Sequence, residues 1–151
     1  MSLHTIKVDN PHAHNLVVGE SNVSGTIDNI SAALLDTVPG VKFGLAFSST
    51  NLPGAVKSSG TDDNLIHLAM KSAVSLGARK TFVLLLDASQ PASIMQVLNE
   101  VPEIREIYCA TQSGAEFIVS ENSQGRGVMG LADTYSHGDN ARIHYVNKDA
   151  S

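Results

Sequence analysis

Tryptophan is absent from this sequence, cysteine occurs once, and aromatic residues fill 5% of its 151 positions. Its core must therefore be aliphatic, built from Val, Ile, Leu and Ala. The single cysteine, Cys109, excludes an intramolecular disulfide and any cysteine-based metal cage. Flanked by Tyr108 and Ala110 in a strand-like run, it reads as an inert buried thiol. Basic residues are also scarce: Lys plus Arg number 10 against 15 Asp plus Glu, and the formal charge is -5. With no basic run longer than Arg79-Lys80, the chain is poorly equipped to hold a nucleic-acid backbone. No stretch approaches the ~20 apolar residues of a membrane-crossing helix. Lys7, Asp9 and the histidines at 4, 12 and 14 interrupt the region where a signal peptide would need an apolar run. A cytoplasmic location without a membrane partner is expected.

What is present reads as one globular domain. Hydrophobic residues make up 42% and charged residues 17%, a balance suited to a packed core. The spacing predicts three helices. The first runs from Thr26 with the stripe Ile30, Ala33, Leu34 and Val38, and Pro39-Gly40 ends it. The second opens at Thr61-Asp62-Asp63, repeats Leu65, Leu68, Ala69, Ala73 and Leu76, and stops at Gly77. The third starts at Pro91 and reaches Val101-Pro102. Strands are expected at 5–8, 16–18, 41–47, 81–86, 107–111, 115–119 and 128–132. Residues 81–86 are apolar on both faces and suit a central strand. Consecutive late strands imply antiparallel pairs. The expected fold is α/β (α+β), a single domain with a mixed β-sheet covered by about three helices. It would occupy residues 1–133, with 134–151 as a polar C-terminal tail.

No self-contained catalytic motif stands out. Gly125 to Gly130 matches the dinucleotide pattern G-x-G-x-x-G, but that pattern works only where a helix begins inside it. Residues 128–132 read as a strand, so the dinucleotide reading is rejected. Gln124-Gly125-Arg126-Gly127 could instead hold a phosphate or carboxylate with exposed amides and one guanidinium, or be a hairpin turn with a surface arginine. Asp62 is either a helix cap or a carboxylate for a ribose hydroxyl or magnesium. Lys42 is a charge within an apolar strand, explained equally by edge-strand solubility and by ligand charge pairing. His12 and His14 would need a third ligand to hold a metal, so no metal site is assigned. The small face Gly44/Ala46, and likewise Gly130/Ala132, would admit a helix, a neighbouring subunit or a flat ligand.

Five strings, PGVKFGLAF (39–47), the helix after Gly60, TFVLLL (81–86), VPEIREIYCAT (101–111) and EFIVSENSQGRGVMGLAD (116–133), resemble the adenosine-specific kinase family. The resemblance covers roughly residues 16 to 133. It implies adenosine binding and phosphoryl transfer with ATP and magnesium, a small α/β fold, and assembly into trimers or higher homo-oligomers. On that basis Asp62 and Arg126 are the candidate catalytic residues, and Lys42, Gly125, Gly127 and Glu121 the candidates for holding the phosphate donor. The family pattern often carries histidine, the implied phosphorylated intermediate, where this chain has Asn22 and Lys80, and neither side chain can carry a phosphoryl group on an imidazole nitrogen. Its Asn-Ala-Tyr-Pro-Ile-Asn stretch is replaced by Ala88 to Ser93, with Pro91 retained. Two functions follow: an adenosine-directed phosphotransferase, or a nucleoside- or nucleotide-binding oligomeric module without catalysis.

Overall fold

A computed structural model describes residues 2–22, 26–48, 55–87, 91–133 and 142–145. In chain order these form β1 (Ser2–Val8), β2 (Asn15–Ser21), α1 (Thr26–Thr37), β3 (Lys42–Ser48), β4 (Val56–Gly60), α2 (Asp63–Leu76), β5 (Thr81–Asp87), α3 (Pro91–Asn99), β6 (Ile104–Thr111), β7 (Ala115–Asn122), β8 (Gly125–Asp133) and β9 (Arg142–Tyr145). The three helices and the α+β class are those the sequence implies. Among the described residues no helix is long and apolar enough to cross a membrane.

The expected single mixed sheet is instead two sheets, each antiparallel in every pairing. One has the order β4-β3-β5-β2-β6 and the other β1-β7-β8-β9. Strand β9 lies in the stretch expected to be a polar tail and pairs with β8. The division has a packing cause. Helix α2 lies against one face of the larger sheet and shares a core with the smaller one, with Leu65, Ala69, Ala73 and Leu76 meeting Phe117, Val119 and Val128. On the other face α1 and α3 bury Ile30, Leu34, Ile94 and Leu98 against Phe43, Leu45 and Leu84. Strand β5 serves both cores: Phe82, Leu84 and Leu86 face α1 and α3, while Val83 and Leu85 face α2. Its two apolar faces are thus accounted for by its central place in the sheet.

The contact of α2 with β3 positions the site. A Cβ on Gly44 would come within 2.1 Å of the Leu65 backbone, so the small face of β3 is there to admit a helix. Gly60, at φ +149°, turns the chain from β4 toward α2, and a Cβ there would lie 2.4 Å from the Phe43 carbonyl oxygen. Thr61 secures the turn, its Oγ1 donating to Val41 O at 2.7 Å and accepting from the Phe43 N–H at 3.1 Å.

Candidate active site at the amino end of helix α2

Asp62 is the N-cap of α2: its backbone is extended and its Oδ1 accepts the Leu65 N–H at 3.0 Å. Asp62 follows the Gly60-Thr61 turn directly, where capping chemistry belongs, so the local reading of Asp62 as a cap is right. Its position also gives it a second role. Asp62 lines a cavity of about 410 Å³ together with Lys42, Asp87, His67, His12 and His14. That volume lies in the range of small-molecule sites.

Each neighbour arrives by a separate element. Lys42 opens β3 opposite Asp87, the last residue of β5. β3 is an interior strand of its sheet, and Lys42 sits at its exposed first position, before the β4 pairing begins at Gly44. Among the described residues its ammonium has no ion-pair partner. His67 stands on the first turns of α2. His12 and His14 come from the β1–β2 turn, with rings 6.0 Å apart. Asn10 holds that turn: its Oδ1 accepts the His14 N–H at 3.1 Å, and its Nδ2 donates to His14 O at 2.7 Å and to Ser113 O at 3.3 Å. Ala13 between the histidines has φ +53°, a conformation uncommon for a residue with a Cβ. No local pattern in the sequence joins these histidines to Lys42, because the contact is made between segments about 30 residues apart.

The remaining candidates sit elsewhere. Arg126 donates from Nε to Glu121 Oε1 at 2.6 Å and from Nη1 to the carbonyl oxygens of Ser75 at 3.4 Å and Leu76 at 3.3 Å. It therefore closes the carboxyl end of α2, where its charge meets unpaired carbonyls. The Arg126 hydrogen bond holds the Glu121 carboxyl below the usual carboxylate range, and His4 Nε2 lies 3.1 Å from Glu121's other oxygen. Gly125 and Gly127 stand in the β7–β8 ladder opposite Asn122 and Ser120, and no helix begins within β8. Asn22 and Lys80 are at this end as well: the Ser21 N–H donates to Lys80 O at 2.8 Å and the Asn22 N–H to Glu103 O at 3.5 Å. A helix of 14 residues is about 21 Å long, so Arg126, Glu121, Gly125 and Gly127 do not share a site with Lys42 and Asp62 inside one chain. The stretch 88–90 lies outside the described residues.

The scaffold is an α+β domain of two antiparallel sheets and three helices, with a charged cavity at the start of α2. The family model for "Adenosine specific kinase" matches residues 6–143, and the chain belongs to the adenosine-specific kinase family. A solved structure, the PH1918 protein from Pyrococcus horikoshii OT3, is similar with a TM-score of 0.82 and 32% identity, covering 89% of this chain and 83% of that one. Among curated proteins no relative matches.

Proposed function

We propose that the chain is an adenosine-directed phosphotransferase whose phosphate chemistry takes place in the cavity at the amino end of α2. The observation that carries this reading is the convergence of Lys42 and Asp62, each singled out from the sequence, on one cavity at a helix N-terminus. Family membership supplies adenosine as the substrate class.

Phosphoryl transfer is governed by positioning and charge neutralisation more than by covalent chemistry. Lys42 places a cation where phosphate oxygens would lie, and the positive end of the α2 dipole adds to it. Asp62 uses one oxygen as the cap, and its other oxygen is placed to accept the proton of an attacking hydroxyl. The histidines offer ring nitrogens for ribose hydroxyls.

Magnesium fits this donor set in its usual mode, held by one or two carboxylates together with phosphate oxygens and water. Asp62 and Asp87 offer that number. Among the described residues no three His, Cys, Asp or Glu side chains group to form a metal cage by themselves. A bound magnesium ion would offset the charge of the ATP phosphates.

The test is AMP formation from adenosine, ATP and magnesium by the purified protein. Lys42, exposed at its strand end, can be changed to Met without disturbing the core, and K42M should lower turnover at least about tenfold by removing a charge-assisted contact. Adenosine binding without any turnover would overturn the transferase reading in favour of a binding module, which the loss of histidine at Asn22 and Lys80 would then explain.

A further inference from the structure

The carboxyl end of α2 carries a second charged cluster, in which two arginines reach past one another between the α2–β5 turn and β8. Arg126, on β8, reaches back to the turn, where a Cβ on Gly77 would lie 3.0 Å from its Nη1. Arg79, in the turn, reaches forward to β8, where a Cβ on Gly125 would lie 3.1 Å from its Nε. Both glycines have positive φ, +62° and +139°, so backbone conformation and the nearby guanidinium each favour the missing side chain. Lys80 follows Arg79 at φ +64°.

Three cations thus reach this corner, and the carboxylates around it leave two of them unmatched. Glu121 pairs with Arg126 at 2.6 Å. Arg126 also covers the Ser75 and Leu76 carbonyls, and the Gly77 N–H covers that of Ala73 at 3.0 Å, so the negative end of the helix is already answered. Glu20, opposite Thr81 in the β2–β5 ladder, is hydrogen-bonded to the Tyr108 side chain. Glu103, whose carbonyl accepts the Asn22 N–H, receives the Asn29 Nδ2 donor at 2.8 Å on its Oε1. Among the described residues neither the Arg79 nor the Lys80 side chain has a hydrogen bond or an ion pair, and both residues are exposed. The pair stands out in a chain whose formal charge is -5.

We propose that Arg79 and Lys80 form a binding site for a phosphate dianion, separate from the cavity at the start of α2. A guanidinium offers a planar fork of N–H groups that matches two phosphate oxygens, and lysine adds a point charge. Two cations balance a dianion, whereas a carboxylate would leave one of them unmatched. The 14 residues of α2 put this corner about 21 Å from Asp62, so the site takes a ligand of its own. The shared chemistry is that of free phosphate and of a phosphomonoester such as a nucleoside monophosphate. This assignment stands apart from the phosphotransferase reading.

Amide proton–nitrogen correlation spectra of the full chain test it, during titration with inorganic phosphate and separately with AMP at constant ionic strength. The signals of Gly77, Arg79 and Gly125 should move and saturate at about millimolar phosphate, in the wild type and equally in Lys42→Met. Arg79→Gln removes the exposed guanidinium, and Lys80→Gly removes the ammonium while giving the positive φ to a residue that adopts it freely. Each should fold, as thermal melting will show, and should weaken binding at least about fivefold by losing a charge-assisted contact. AMP binding tighter than phosphate at the same residues would assign the site to a nucleotide, and equal binding would assign it to the phosphate group alone. Saturation unchanged in both variants would overturn the site. So would equal shifts at Lys57 and Lys71, exposed lysines elsewhere, which would reduce the corner to diffuse surface charge. Loss of the shifts in Lys42→Met alone would return the phosphate to the cavity at Asp62 and likewise overturn this second site.

Discussion

Asp62 and Arg126 hold the two ends of one helix: Asp62 accepts the Leu65 N–H at the start of α2, and Arg126 donates to the Ser75 and Leu76 carbonyls at its close. Two residues that the sequence suggests as partners in catalysis are thus separated by the full length of α2. Their shared work is structural, and only Asp62 opens onto a cavity with Lys42.

The two roles of Asp62 can be separated by substitution. Asn caps a helix about as well as Asp, whereas Ala costs about 1 kcal/mol. Asp62→Ala should therefore lower the melting temperature, and Asp62→Asn should leave it nearly unchanged. Both should lose adenosine phosphorylation if the carboxylate takes the hydroxyl proton. Full activity in Asp62→Asn would leave the residue a cap and nothing more.

Arg126→Ala should act on stability alone. A cation at a helix C-terminus contributes about 0.3–1 kcal/mol, and 1 kcal/mol corresponds to about 2–4 °C in a chain of this size. Melting of the variant beside a nucleoside titration checks this. Unchanged melting with lost adenosine binding would show that Arg126 meets the ligand, which the length of α2 permits only from a neighbouring copy.

Acid should weaken the same corner. The Glu121 carboxyl is held low first by its hydrogen bond from Arg126. A carboxyl held low in the folded state contributes stability above the ordinary carboxylate value and loses it as pH falls through the lowered one. The stability gap between wild type and Glu121→Gln, measured in denaturant, should be widest near neutral pH and close on acidification. A gap independent of pH would remove the ion pair from the account.

At the alkaline end Tyr108 should resist ionisation. Burial, followed by the nearby charges of Glu20 and Glu106, pushes its hydroxyl well above the ordinary phenol value. A phenol raised in the folded state draws stability away as pH rises past the ordinary value, because the unfolded chain releases the proton first. Near-ultraviolet titration of wild type and Tyr108→Phe should differ only in a component that appears on alkaline unfolding.

Gly44→Ala should be severe. The added carbon would lie 2.1 Å from the Leu65 backbone, and helix and strand must part to admit it. Overpacking of this kind costs about 1–3 kcal/mol or more, measurable as a lower denaturant midpoint.

Much of this was legible from residue patterns. The helix starting at Thr26, the stop at Gly77 and the buried run 81–86 are local features, set by periodicity and by capping chemistry acting within a few residues. The rejection of G-x-G-x-x-G was also local, since it needed only the strand pattern of 128–132, and β8 bears it out. Strand β9 was missed because its sequence sits in a polar context and its register depends on β8.

The sequence by itself determined the class of fold, the helix ends and the family, because these follow from side-chain type at fixed short spacings. Only the tertiary structure decided that two sheets form instead of one, and that Lys42 and Asp62 share a cavity with His12, His14 and His67 while Arg126 and Glu121 do not. Strand partners and the two ends of a helix are chosen by packing between segments far apart in the chain. Here the deciding contact is α2 against the glycine face of β3, which turns one end of the helix toward the cavity and the other toward the β7–β8 hairpin.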